Sequence, residues 1–237
     1  LTPPCWSLDS GFSTVGTESD AEEGPFETRF PRMPSIHRVT RPDTRTRLLN
    51  AAVSVIDKGG ESALNVHKVA LEAGVTVPSL YHFFGSREGL VEEAQVARFE
   101  KGMQVVGLSL DETLAGITTA RKYKETLRKW LHSLLGGPNS RFRRTRATVI
   151  ASAVNNPSLA ARIADIQEQH VRRISTYLNY GRSKGWVDDD LDIEAISLWT
   201  TTQLNGRVVL ELDPKQRYIR EWDKLFVESV MHALRYD

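Results

Sequence analysis

At 237 residues the chain is long enough for one large domain or two modest ones, each able to bury a core. Lysine plus arginine number 31 against 30 aspartates and glutamates, so a net charge of +1 points to no particular partner. The single cysteine, Cys5, excludes an internal disulfide or a cysteine-rich metal site. No apolar run approaches the ~20 residues a membrane span needs, and no signal-peptide pattern precedes the first element. These features predict a soluble, cytoplasmic protein with no membrane partner.

Residues 1–40 are rich in Pro, Ser, Thr, Gly and acids, with six carboxylates against three arginines. A segment that buries so little does not offset its ordering entropy, so a disordered tail is expected there. The chain begins at Leu1, and Met33 is a candidate start. The intact mass of the native protein decides between the two.

From residue 41 the pattern becomes helical. Leu48, Leu49, Ala52, Val53 and Ile56 form one apolar face over residues 45–58, with Asp43 or Thr44 as cap and Gly59-Gly60 as stop. Short helices are expected at 66–73, capped by Asn65, and from Thr76 or Val77 to Phe84, with Gly74 between them. A longer helix follows Ser86 and carries Leu90, Val91, Ala94, Ala97 and Phe99.

Further on, Leu127, Trp130, Leu131 and Leu134 mark a helix ending at Gly136-Gly137-Pro138. Phe142, Val149, Ile150 and Ala153 mark the next. Asn156-Pro157 reads as a cap and first-turn proline for a helix whose stripe is Leu159, Ile163, Ile166, His170, Ile174, Tyr177 and Leu178. After Asp192 a helix carries Ile196, Trp199, Leu204 and Val208, and a last one carries Ile219, Trp222, Phe226, Val230 and Leu234. No strand pattern, internal repeat or heptad array is present. The expected fold class is all-α.

Two short helices joined at a glycine form a helix-turn-helix, with Val69, Ala73, Val75, Leu80 and Phe84 as its packing residues. Pro78 is tolerated in the first turn, where amides lack helical acceptors. The second helix can enter a major groove, presenting Val77, Pro78, Ser79, Tyr81 and His82. These side chains suit thymine methyls and phosphates better than bidentate guanine reading.

Ala73-Gly74-Val75-Thr76, Leu80-Tyr81-His82-Phe83-Phe84, Ser86-Arg87-Glu88 and Leu90 resemble the signature of the tetracycline-repressor (TetR) family. The close resemblance covers residues 41–101. Beyond it, Pro157, Leu159, Gly185, Asp190-Leu191-Asp192 and Gly206 are similar to the family's regulatory domain in order and spacing. The resemblance implies a three-helix DNA-binding domain at 41–101 and a helical ligand-binding and dimerisation domain at 102–237. It implies base contacts from His67, Val77, Pro78 and Tyr81, and phosphate contacts from Asn65, Thr76, Ser79, His82 and Arg87. Two positions depart from the family's habit: Phe83 stands where histidine is usual and Arg87 where lysine is usual. His67 also reads as a plain surface histidine. Arg41, Arg45 and Arg47 lie either where phosphates run or on a merely charged helix face.

Residues 121–146 hold nine basic residues against Glu125 alone. They read as a solvated face, with Arg141, Arg143, Arg144 or Arg146 as the alternative seat of an anionic ligand. Trp130, Tyr177, Trp199 and Gln203 are either core or the lining of a ligand pocket. The last two helices are expected to form a four-helix interface in a homodimer that binds an inverted-repeat operator in double-stranded DNA. A repressor released by a small-molecule effector is the expected activity; the alternative is a DNA-bound protein that recruits another protein. An enzyme is not expected. There is no phosphate-cradling glycine loop, no His-Glu-x-x-His and no elbow serine, and the six histidines have no metal-like spacing. No cofactor is implied.

Overall fold

The computed structural model describes residues 42–104, 114 and 116–234. The expected tail, Met33, Cys5 and Arg41 lie outside the described residues. Every regular element among those residues is helical: α1 (Thr44–Gly59), α2 (Val66–Ala73), α3 (Val77–Phe84), α4 (Arg87–Gln104), α5 (Ala120–Leu135), α6 (Ser140–Ala153), α7 (Pro157–Ser183), α8 (Ile193–Gly206), α9 (Val208–Glu211) and α10 (Ile219–Ala233). Short 3₁₀ turns at Glu61–Ala63 and Gly137–Asn139 join α1 to α2 and α5 to α6.

The ends of these helices follow from side-chain oxygens that replace missing backbone acceptors. Asp43, and not Thr44, caps α1 by accepting from Thr46 N at 2.7 Å. Thr119 caps α5, Asn156 caps α7 and Asp192 caps α8. Pro157 occupies the first turn of α7, where its missing amide costs nothing.

Apolar burial falls into three clusters. Leu48, Ala52, Ile56, Val69, Leu80, Phe84, Leu90 and Ala94 unite α1, α2 and α3 with the first half of α4. Val96, Phe99 and Met103 carry α4 onward into a second cluster with Val149 of α6 and Leu159 and Ile163 of α7. The third and largest joins α5, the second half of α7, α8 and α10. There Gly181 lets α7 approach α5 closely, since a Cβ would lie 2.5 Å from the Tyr123 ring. Among the described residues no helix is long and apolar enough to cross a membrane.

Two faces differ from the sequence pattern. On α8 the buried positions are Ile193, Ser197, Thr200, Thr201 and Leu204, while Leu198 and Trp199 face outward. Small hydroxyl residues can serve this inner face because each returns its proton to the helix: Ser197 Oγ donates to Ile193 O at 2.7 Å, and Thr201 Oγ1 to Ser197 O at 2.9 Å. The basic stretch is not all solvated either, because Arg143 and Arg146 are buried in α6. Arg143 donates to Glu211 at 2.7 Å and to Leu134 O at 2.6 Å. Glu211 also pairs with Arg207, which holds Asp223 through two hydrogen bonds of 2.7 and 2.8 Å. This network ties α6 to α9 and α10.

His170 is buried on α7. Burial, reinforced by the charges of Arg146 and Arg173, pushes its pKa down to about 4. The folded protein therefore holds this imidazole neutral while the unfolded chain protonates it below about pH 6.5. Between those values the unfolded state binds more protons, so stability falls with acidification, by up to about 1.4 kcal/mol per pH unit from this group. His170→Gln should flatten the loss of urea midpoint between pH 7 and pH 5. An unchanged slope would assign that loss to other groups.

Candidate nucleic-acid interface

The helix-turn-helix is built as its sequence demands. Asn65 Oδ1 caps α2, accepting from His67 N at 2.9 Å and Lys68 N at 3.2 Å. Gly74 ends α2 in the left-handed region at φ 65°, ψ 44°, and Val75 N reaches back to Ala70 O at 3.0 Å. A side chain at Gly74 would strain this turn. Thr76 then caps α3, with its hydroxyl 3.4 Å from Ser79 N and 3.0 Å from Ser79 Oγ. Leu80 and Phe84 pin α3 to the first apolar cluster.

With that face fixed inward, α3 presents Pro78, Tyr81, His82 and Phe83 to solvent, while Val77 and Ser79 are half-buried. The His82 and Phe83 rings meet edge to face with centroids 5.2 Å apart. His67 and Lys68 are exposed on α2. Lys68 went unremarked in the sequence, although its position one residue after His67 marks it as a cation on the same turn.

The arginines are differently employed. Arg47 donates to Ala73 O at 2.7 Å and to Thr44 Oγ1 at 3.2 Å, so it closes the C-terminus of α2. Arg45 lies over the Phe84 ring, 5.4 Å from its centroid, and pairs with Glu93 at 2.7 Å. Burial works against the Glu93 carboxylate, but Arg162 and Arg45 together outweigh it and hold its pKa below the usual range. Arg87 donates to Leu64 O at 3.1 Å and Glu61 O at 2.8 Å, and lies 3.6 Å from Glu88. Its guanidinium thus clamps the start of α4 to the loop that launches α2.

A planar fork can hold two carbonyls at once, whereas an ammonium meets them as a point charge. Arg87→Lys should therefore lower stability by about 1.5–3 kcal/mol, the range for a hydrogen bond to a charged group. Chemical denaturation measures this. An unaltered unfolding free energy would show that the clamp carries no stability.

Of the four candidate pocket residues, Tyr177 and Trp199 stand in different aromatic stacks. Tyr177 is buried, stacked on Tyr123 with centroids 4.9 Å apart, and Trp186 tilts against the same ring. Trp199 stands at the surface of α8 in a separate stack with Phe226, which also stacks on Trp222. Trp130 packs against the third cluster and Gln203 is half-buried.

Comparison with known proteins agrees with this geometry. Residues 48–94 match the family model of bacterial regulatory proteins, tetR family. The HTH-type transcriptional regulator UidR of Escherichia coli (strain K12) is 21% identical over 169 residues, covering 71% of this chain and 77% of that protein. The HTH-type transcriptional regulator BetI of Vibrio campbellii is 39% identical over 57 residues, 24% of this chain and 29% of BetI. The crystal structure of the transcriptional regulator FadR from Bacillus subtilis, in complex with stearoyl-CoA, shares the fold at a TM-score of 0.55. It is 19% identical, over 80% of this chain and 99% of that one. The chain thus carries a tetR-family DNA-binding domain at residues 48–94, on a fold that it shares with solved TetR-family transcriptional regulators.

Proposed function

We propose that the protein is a homodimeric repressor that reads an inverted-repeat operator through α3 and leaves it when a small molecule binds. Residues 41–101 are the DNA-reading domain and 102–237 the regulatory and dimerisation domain. The observation that carries the reading is the outer face of α3, where Pro78, Tyr81 and His82 are exposed on a helix anchored from behind by Leu80 and Phe84.

In that reading Val77, Pro78, Tyr81 and His67 face base edges. Thr76, Ser79, His82 and Asn65 lie along phosphates, with the amides at the starts of α2 and α3 adding partial positive charge. Arg45 and Arg87 support the interface from behind, since their guanidinium groups already serve Glu93 and the loop before α2.

Dimerisation is supported by Leu198, Trp199, Val209, Leu212 and Leu225, which leave an apolar surface on α8, α9 and α10. Two reading heads on a two-fold axis add their contacts over two half-sites. Release by a ligand requires only that it favour one spacing of the heads over the other. That FadR is described with an acyl-CoA supports a small-molecule effector for this chain as well.

Selection of random DNA fragments on the full-length protein, followed by sequencing, tests the reading. An enriched inverted repeat is expected. Binding without any enriched site, or no binding by a folded dimer, would overturn it.

A further inference from the structure

α6 divides its arginines between two sides. Arg143 and Arg146 turn inward and are consumed there: Arg143 by Glu211 and Leu134 O, Arg146 by Asn205 Oδ1 and Gly102 O, both at 3.1 Å. Arg141 and Arg144 turn outward, to a cleft of about 400 Å³ between α1, α4 and α6. Val53 and Asp57 of α1 form one wall and Arg98 and Lys101 of α4 the floor.

The cleft gathers four cations around one carboxylate. Asp57 is already engaged, since Arg98 Nε donates to it at 2.7 Å and Arg98 Nη1 to Gln95 Oε1 at 2.6 Å. Lys101, Arg141 and Arg144 have no carboxylate partner among the described residues. Like charges converging on a concave surface raise the local potential and attract a counter-ion. The Arg141 guanidinium lies 4.5 Å from the centroid of the Phe142 ring, which also lines the cleft.

We infer that this cleft binds a small phosphate-bearing anion carrying at least two negative charges. Its volume falls within the range of small-molecule sites. Guanidinium groups and an ammonium converging on one space match phosphoryl oxygens better than an apolar ligand. DNA is not the occupant: Lys101 stands fourteen residues from Arg87 along α4, about 21 Å at 1.5 Å per residue, on the side away from α3. The site lies where the first apolar cluster, through Val53, meets the regulatory half, through α6. An anion bridging Lys101 to Arg144 therefore favours one placement of the reading head relative to α6. That regulatory role rests on the proposed repressor function; the binding itself does not.

Calorimetric titration of the full-length protein, without DNA, with pyrophosphate, ADP and citrate tests the site. Pyrophosphate and ADP should each bind once per protomer, more tightly than citrate. Lys101→Gln combined with Arg144→Gln should weaken them at least tenfold. The control pair Lys129→Gln with Lys215→Gln, which removes the same charge from exposed positions elsewhere, should leave both affinities unchanged. No heat with either phosphate at millimolar concentration would overturn the proposal, as would equal weakening by the two pairs or a preference for citrate. Phosphate binding by a protein that selects no operator would leave the site standing and remove its regulatory role; operator selection without phosphate binding would remove the site alone.

Discussion

Tyr81→Ala should lower affinity for the selected operator by roughly 30- to 1,000-fold at fixed salt. Loss of a single ring contact should cost about 1–2 kcal/mol, the lower part of the range for base contacts, and a symmetric dimer loses it at both half-sites, doubling the free energy. Fold stability should hardly change, because Tyr81 is 44% exposed and the helix is anchored by Leu80 and Phe84 on its other face. The loss should fall on the operator and spare non-operator DNA, which is held by phosphate contacts. Lys68→Ala, at an exposed cation, should instead weaken both kinds of DNA alike and flatten the salt dependence by about two units, one for each protomer. Titrations of operator and scrambled duplexes at two salt concentrations separate the two patterns. A Tyr81→Ala protein that keeps full operator affinity would mean that α3 does not read bases through this ring.

Glu211→Ala should cost about 3–5 kcal/mol of unfolding free energy, the range for removing one partner of a buried ion pair. The Glu211 side chain is 4% exposed and bridges Arg143 and Arg207, themselves buried. Burial raises the energy of its charge, but the hydrogen bonds from Ser140 and Arg143 and the charges of Arg143 and Arg207 outweigh this and hold its pKa below the usual glutamate range. A carboxylate depressed in this way stabilises the fold fully above its unfolded pKa, and that contribution disappears as pH falls through the folded value. Acid unfolding below about pH 4.5 should thus involve Glu211. Guanidinium denaturation at pH 7 measures the main effect. Adding Arg143→Met to Glu211→Ala should recover part of the loss, because the stranded cation goes with its partner. A single variant within about 1 kcal/mol of the wild type would show that water reaches the site.

The reading head was legible in the sequence because its determinants are local. Asn65, Gly74, Thr76 and Pro78 act within one turn of their own positions, so the cap of α2 and the break could be placed from residue type alone, and the start of α3 to within one residue. What local reasoning could not see was the employment of Arg45, Arg47 and Arg87. Each is held by a partner 26 to 48 residues away or by a loop carbonyl, and nothing in their spacing separates such an arginine from one waiting for phosphate. The orientation of α8 was hidden for a different reason. Three of its five buried residues, Ser197, Thr200 and Thr201, are hydroxyl residues bonded to their own helix, so a hydropathy pattern selects the opposite face, where Leu198 and Trp199 stand. The split of the α6 arginines, like the employment of Arg45, Arg47 and Arg87, turns on a distant partner, because Glu211, which draws Arg143 inward, lies 68 residues away.

Reading heads of this kind invite exchange between proteins, since α1 to α3 and the start of α4 close around one apolar cluster. Here the graft line has a hidden toll. Gln95, buried on α4, contacts the Glu61 carboxylate and receives a hydrogen bond from Arg98, whose other anchor is Asp57. Glu61 and Asp57 would leave with the donor's replacement, while Gln95 and Arg98 would stay. A chimera that swaps residues 42–86 without carrying carboxylates at positions 57 and 61 would strand a buried guanidinium and a buried amide at the seam. Engineers seeking a hybrid sensor from this scaffold should therefore cut after Arg98, moving all four residues together, and treat the first three turns of α4 as part of the cassette.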